Sequence, residues 1–181
     1  ARLKDLHKFS IKHKIKIASI EDIIAYRLKN EKLIVKLSNK TFQIKKNKFI
    51  NYLVYENKLN KSKNFVIKKG EIYPNKAVRV RVVSAHAKNW KSIMKDKKIK
   101  KSFKYLSKFN NFVLIIINND KIDKNEKDNA ILRYYGIGAQ IIKDLKVKNM
   151  VLVTKTRKKI IGLEGFGLKI TKQEFIKWKK Y

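Results

Sequence analysis

The sequence contains no cysteine, a single proline and only 14 acidic residues against 47 Lys and Arg in 181 positions. Without thiols there can be neither a disulfide nor a thiolate-held metal, while the compartment stays open because absence of cysteine fits any redox environment. Long apolar runs are missing too. The longest, Phe112 to Ile117, has the length of a strand, far short of the roughly eighteen residues that a membrane span needs. A soluble, cytoplasmic protein without a membrane partner is therefore expected. No initiator Met opens the chain, and Ala1-Arg2-Leu3 reads as the flank of a helix, not as a signal peptide. The expectation is a fragment of a longer protein.

What is present argues for a folded chain. Hydrophobic residues make up 44% and aromatics 10%, which is enough to bury a core, so disorder should be confined to loops. The length suits one domain with a piece of a second. A net charge of +33 and a pI near 10.3 invite a nucleic-acid reading, since a cationic surface releases counterions on binding phosphates. Lys, however, outnumbers Arg about seven to one, with Asn and Ile abundant as in an AT-rich coding sequence. Recognition sites favour the planar fork of Arg, and here Lys is spread along the whole chain. A basic nucleic-acid-binding module thus rests on charge alone, and any such binding should be nonspecific.

Apolar residues at Leu3, Leu6 and Phe9 predict a helix to about His13, and Ser19 before Ile20-Glu21-Asp22 predicts the N-cap of a second, to about Lys32. From Leu33 to Tyr55, alternation of β-branched and aromatic residues predicts paired strands. Asn64–Lys68 and Ala77–Val83 read as further strands, with Lys69-Gly70 and Pro74 in turns. One helix is predicted over Lys88–Lys108, a buried strand at Phe112–Ile117, and a polar, disordered loop over Asn118–Asn129. Then follow a helix at Ala130–Leu145, a strand at Met150–Val153, a basic helical turn around Arg157–Ile161 and a last strand at Leu168–Ile170. The fold class is α/β, in a mixed α+β arrangement with a strand-rich first half.

Three blocks stand in a telling order: Ile131-Leu132-Arg133-Tyr134-Tyr135-Gly136-Ile137-Gly138-Ala139-Gln140-Ile141-Ile142, then Val151-Leu152-Val153-Thr154, then Gly162-Leu163-Glu164-Gly165-Phe166-Gly167-Leu168. Together they resemble the C-terminal signature of GTP cyclohydrolase II. Phe65 to Ile72 and Val78 to Ser84 extend the resemblance backwards. Residues 1–27, through Ile20-Glu21-Asp22-Ile23-Ile24-Ala25-Tyr26-Arg27, are similar to the closing helices of 3,4-dihydroxy-2-butanone-4-phosphate synthase. The resemblance implies a riboflavin-biosynthesis protein divided into residues 1–36, the end of the synthase domain, and 37–181, a cyclohydrolase-like domain. It also implies an upstream synthase domain as partner, homodimeric assembly, and magnesium for the synthase, none of it held in this fragment.

In that family the hydrolysis that opens the purine base uses zinc held by three cysteines, the first just past the strand that is here Val78–Val83. His86 stands in that place with no partner ligands among Lys88–Lys101, and one imidazole does not make a three-ligand site. No metal is expected. The family's Glu-Gly-Arg-Gly stretch is replaced by Asn118-Asn119-Asp120-Lys121, and its proton-handling aspartate by Ile131, so no catalytic residue is assigned. Arg133 resembles the family's phosphate-orienting arginine, a task that suits a bidentate guanidinium; an exposed residue on a helix is the equal alternative. Thr154 and Lys159 match positions near the nucleotide, with Arg157 and Lys158 adding charge, which makes Arg133, Thr154 and Lys159 the candidate residual nucleotide or anion site. Gly136-x-Gly138 lacks the third glycine of a phosphate loop and fits close helix packing. Gly162, Gly165 and Gly167 suit turns of positive φ. The leading expectation is a degenerate cyclohydrolase domain with a structural or regulatory role; the alternatives are an active GTP cyclohydrolase II and a basic nucleic-acid module.

Overall fold

The computed structural model describes residues 2–19, 22–23, 26, 30–46, 48–118, 127–157 and 167–176, without the side chains of Lys45 and of residues 127–135. Helix α1 spans Leu3–His13. Asp5 starts it by accepting from the Arg2 backbone N–H at 2.9 Å, and Lys14 ends it in the left-handed region, φ 54°. At Ser19 the expected cap is present: its hydroxyl accepts from Asp22 N, while the Asp22 carboxylate accepts from Ser19 N and from its hydroxyl. Those bonds hold the Asp22 carboxyl below its ordinary range. Most of the helix predicted beyond Ser19 lies outside the described residues.

Among the described residues seven strands form one sheet in the order β1-β2-β3-β5-β4-β6-β7. β1 (Ile34–Lys45) and β2 (Lys48–Asn57) make a long antiparallel hairpin, and β3 (Lys63–Lys69) continues the meander. β5 (Phe112–Asn118) pairs antiparallel with β3 and parallel with β4 (Val78–Ala85). β6 (Asn149–Thr154) runs parallel to β4, and β7 (Lys169–Phe175) parallel to β6. The mixed α/β class is thus observed. Between β3 and β4, Gly70 takes φ 74°, and a Cβ there would sit 2.7 Å from the Asn110 carbonyl, so the turn needs glycine.

Side chains alternate strictly across the central strands. Phe112, Leu114 and Ile116 join one core cluster, while Val113, Ile115 and Ile117 join the other. All six are at most 3% exposed, as expected of a strand buried on both faces. Helices α2 (Trp90–Lys95) and α3 (Lys97–Leu106) cover the first face through Ile93, Ile99 and Leu106. Helix α4 (Lys127–Asp144) covers the second through Ile137, Ala139, Ile141 and Ile142.

The structure revises several boundaries. The helix expected over Lys88–Lys108 is two helices, because Asp96 leaves the helical region (φ −68°, ψ 123°) and its carboxylate accepts from Lys98 N and Ile99 N to start α3. α4 begins at Lys127, inside the stretch expected to be loop, whereas residues 119–126 lie outside the described residues. β7 runs to Phe175, five residues past the predicted end. Arg157 is not helical, and the rest of the turn predicted with it lies outside the described residues, as do Gly162 and Gly165. Gly167 has the expected positive φ, 69°. Gly138 faces β4, where a Cβ would meet the Val82 methyls at 3.8 Å, in keeping with close packing of α4 on the sheet.

Candidate functional site

Strands β4, β5, β6 and β7 are parallel, so Ala85, Asn118, Thr154 and Phe175 end on one edge of the sheet. The chain leaves β4 through α2 and α3 over one face to reach β5. It then crosses the other face through α4 to reach β6, on the far side of β4. Strand order therefore reverses between β4 and β6. In open parallel sheets ligands bind in the crevice at such a switch point, beyond the strands' carboxyl ends. Ser84 to Lys88 flank it after β4, and Thr154 to Arg157 after β6.

Two asparagine amides shape this edge. Asn118, the last residue of β5, donates its backbone N–H to Asn64 Oδ1 on β3, and its own Oδ1 accepts from Ala87 N, each at 3.1 Å. The relay fixes the segment after β4 that carries His86. Asn64 Nδ2 is the one buried side-chain polar atom without a hydrogen-bond partner among the described residues. On the β6 side, Thr154 is buried and its hydroxyl donates to the Thr156 carbonyl at 2.8 Å, holding the turn toward Lys155 and Arg157. Lys155, Arg157 and Lys88 are exposed around the switch point, beside an exposed His86, and the three cations give it a positive potential.

Of the predicted anion-site residues, Thr154 is therefore at the edge. Arg133 lies in the N-terminal half of α4, its side chain outside the described atoms, and Lys159 is outside the described residues. Beneath the edge lies a residue that pattern reading passed over. Arg81 is 6% exposed, donating through Nε to Ser102 Oγ at 2.7 Å and through Nη1 to the Val153 carbonyl at 3.0 Å. Burial lowers its pKa. It ties β4 to α3 and to β6 directly below the switch point. Alternation along Val78-Arg79-Val80-Arg81 was the signal available, since it puts both arginines on the face toward α3.

The three-ligand metal centre that the resemblance implies after β4 does not fit the residues present. The segment offers His86 and Lys88 but no thiol, and among the described residues no group of three His, Cys, Asp or Glu side chains could hold a metal ion. No helix among them is long and apolar enough to cross a membrane.

A family model described as GTP cyclohydrolase II matches residues 36–174. The riboflavin biosynthesis protein RibBA of Aquifex aeolicus is 32% identical over 205 residues, which take in 98% of this chain and 50% of that protein. A protein named 3,4-dihydroxy-2-butanone 4-phosphate synthase, from Sulfurospirillum multivorans, is 31% identical over 173 residues, taking in 95% of this chain and 46% of its own length. The first alignment is longer than this chain and the second is not. The Aquifex protein thus has segments within the aligned region that this chain lacks. Among solved structures, RibBX of A. baumannii, a two-domain 3,4-dihydroxy-2-butanone 4-phosphate synthase, superposes with a TM-score of 0.62 at 27% identity, covering 99% of this chain and 50% of that one. The chain spans about half the length of the curated relatives it matches.

Proposed function

The chain belongs to the GTP cyclohydrolase II family, and from that premise we propose that it is a non-catalytic member, joined to an upstream 3,4-dihydroxy-2-butanone-4-phosphate synthase domain in riboflavin biosynthesis. Its role there is structural or regulatory. The observation that carries the reading is the donor set after β4: His86 stands in a sequence without a single cysteine, so the thiolates that would hold the family's zinc are missing. Similarity over 95% of this chain to a relative named for the synthase alone supports it. Ile131 adds to it, because an alkyl side chain neither accepts nor donates a proton.

In this reading residues 1–36 close the synthase domain and 37–181 form the cyclohydrolase-like domain, and the protein assembles as a homodimer. In the same reading a residual anion site has Arg133, Thr154 and Lys159 as its residues, of which Thr154 stands at the sheet edge. Thr154 and the exposed Lys155 and Arg157 supply polar and cationic groups there, while Asn118 fixes the facing segment.

Elemental analysis and a formate-release assay with GTP test the proposal together. The expected result is no stoichiometric zinc and no turnover. About one zinc per chain, or measurable formate from GTP, would overturn it.

A further inference from the structure

We propose that the outer face of the α2–α3 hairpin is a docking surface for nucleic acid, engaging the phosphate backbone without reading bases. Nine lysines lie between positions 88 and 108, and all nine are exposed. They share one side because the inward positions are taken by Ile93, Ile99, Ser102 and Leu106, all buried. Lys97, Lys101 and Lys104 follow one another at helical spacing along α3, with Lys108 continuing the row. The single carboxylate in the stretch, Asp96, is occupied at the start of α3, where it accepts from Lys98 N and Ile99 N. Below the helix, Arg81 adds a buried cation. The lysines of this one dense segment are thus turned by folding to one side, as a cationic plate.

The chemistry of the plate selects its partner. A protein partner needs an apolar, charge-depleted centre to its interface, and the exposed side chains of α2 and α3 are lysines. A membrane surface needs an apolar side free to enter the headgroup layer, whereas the apolar side of α3 is sealed in the core. A second copy docked through this same face would set lysine against lysine. A phosphate backbone matches what remains: a row of ammonium groups that neutralise charge with no fork or exposed ring to read bases.

Fluorescence anisotropy of a labelled mixed-sequence single-stranded RNA, titrated with the whole chain between 50 and 200 mM salt, tests the proposal. Binding should weaken with a log–log slope of about −0.7 per phosphate neutralised. The variant K97E/K101E/K104E/K108E should lose at least about tenfold in affinity at 50 mM salt, with a slope shallower by about 3. The charge-matched control K4E/K8E/K12E/K14E, on and just past α1, should stay within about twofold of the parent, because it leaves the plate untouched. Circular dichroism should show all three proteins folded, since every substituted lysine is exposed. Equal losses in the two variants, no binding at 50 mM salt, a marked preference for one RNA sequence, or tighter binding to polyglutamate or phosphatidylglycerol vesicles than to RNA would each overturn it.

Discussion

Asp144 is the last residue of α4, where a carboxylate meets the negative end of the helix dipole. Burial pushes its pKa up, but Lys36 Nζ at 2.8 Å and the Tyr55 hydroxyl, donating at 2.8 Å, outweigh that and hold it below the ordinary carboxylate value. Tyr55 is itself shifted upward, by its own burial first and then by the bond to Asp144, so the phenol keeps its proton. A depressed native pKa means the contribution to stability is complete above the unfolded value and is lost as pH falls through the native one. D144N should therefore be less stable than the parent at neutral pH, with the gap closing below about pH 4. Urea midpoints at pH 7 and pH 3 check this, and a gap that does not change with pH would refute it. On α4 one turn earlier, Gln140 accepts from Leu33 N at 2.9 Å and donates to the Glu31 carbonyl at 2.7 Å. One amide thereby holds the strand entering the sheet to the helix that covers it.

Among the elements, α3 owes its start to one side chain. Lys97 and Lys98 put two cations in its first turn, against the dipole, and the Asp96 carboxylate offsets them while satisfying two backbone donors. D96A should cost about 1 kcal/mol, and D96N, which keeps the accepting oxygen, clearly less; chemical denaturation of the two variants measures the difference. This cap also shows where sequence reading reached its limit. Periodic Trp90, Ile93, Phe103 and Leu106 made 88–108 helical, but an aspartate among lysines looks the same on a solvated face as at a break. β5 was legible because six consecutive apolar residues have few places to go. β7 was legible only at its start, since Lys169 to Phe175 forms a polar edge strand secured by pairing with β6 and by Arg79, whose guanidinium donates twice to Glu174 at 3.0 Å. Of the site, Thr154 came from the resemblance. The Asn64–Asn118–Ala87 relay and the seat of Arg81 join positions up to 72 residues apart, and no local pattern encodes such pairings.

For the whole molecule, burial is divided unevenly. Among the described residues every core residue lies at or beyond Ile34, while α1 has no buried residue and leaves Leu3, Leu6 and Phe9 exposed. That division fits a helix whose apolar side belongs to another domain. If the proposed synthase domain precedes this chain, deleting residues 37–181 should preserve synthase turnover per active site, and extending the deletion to residue 3 should abolish it; loss of turnover in the first truncation would make this domain an obligatory partner in catalysis. The sheet order has a further consequence, for synthesis. β5 sits between β3 and β4, yet it leaves the ribosome after both. Until Phe112 to Asn118 have emerged, β3 and β4 each hold an open row of backbone donors and acceptors, and the two strands that meet first in time are ones that must never pair. The nascent chain thus has to keep a gap open for a segment not yet made.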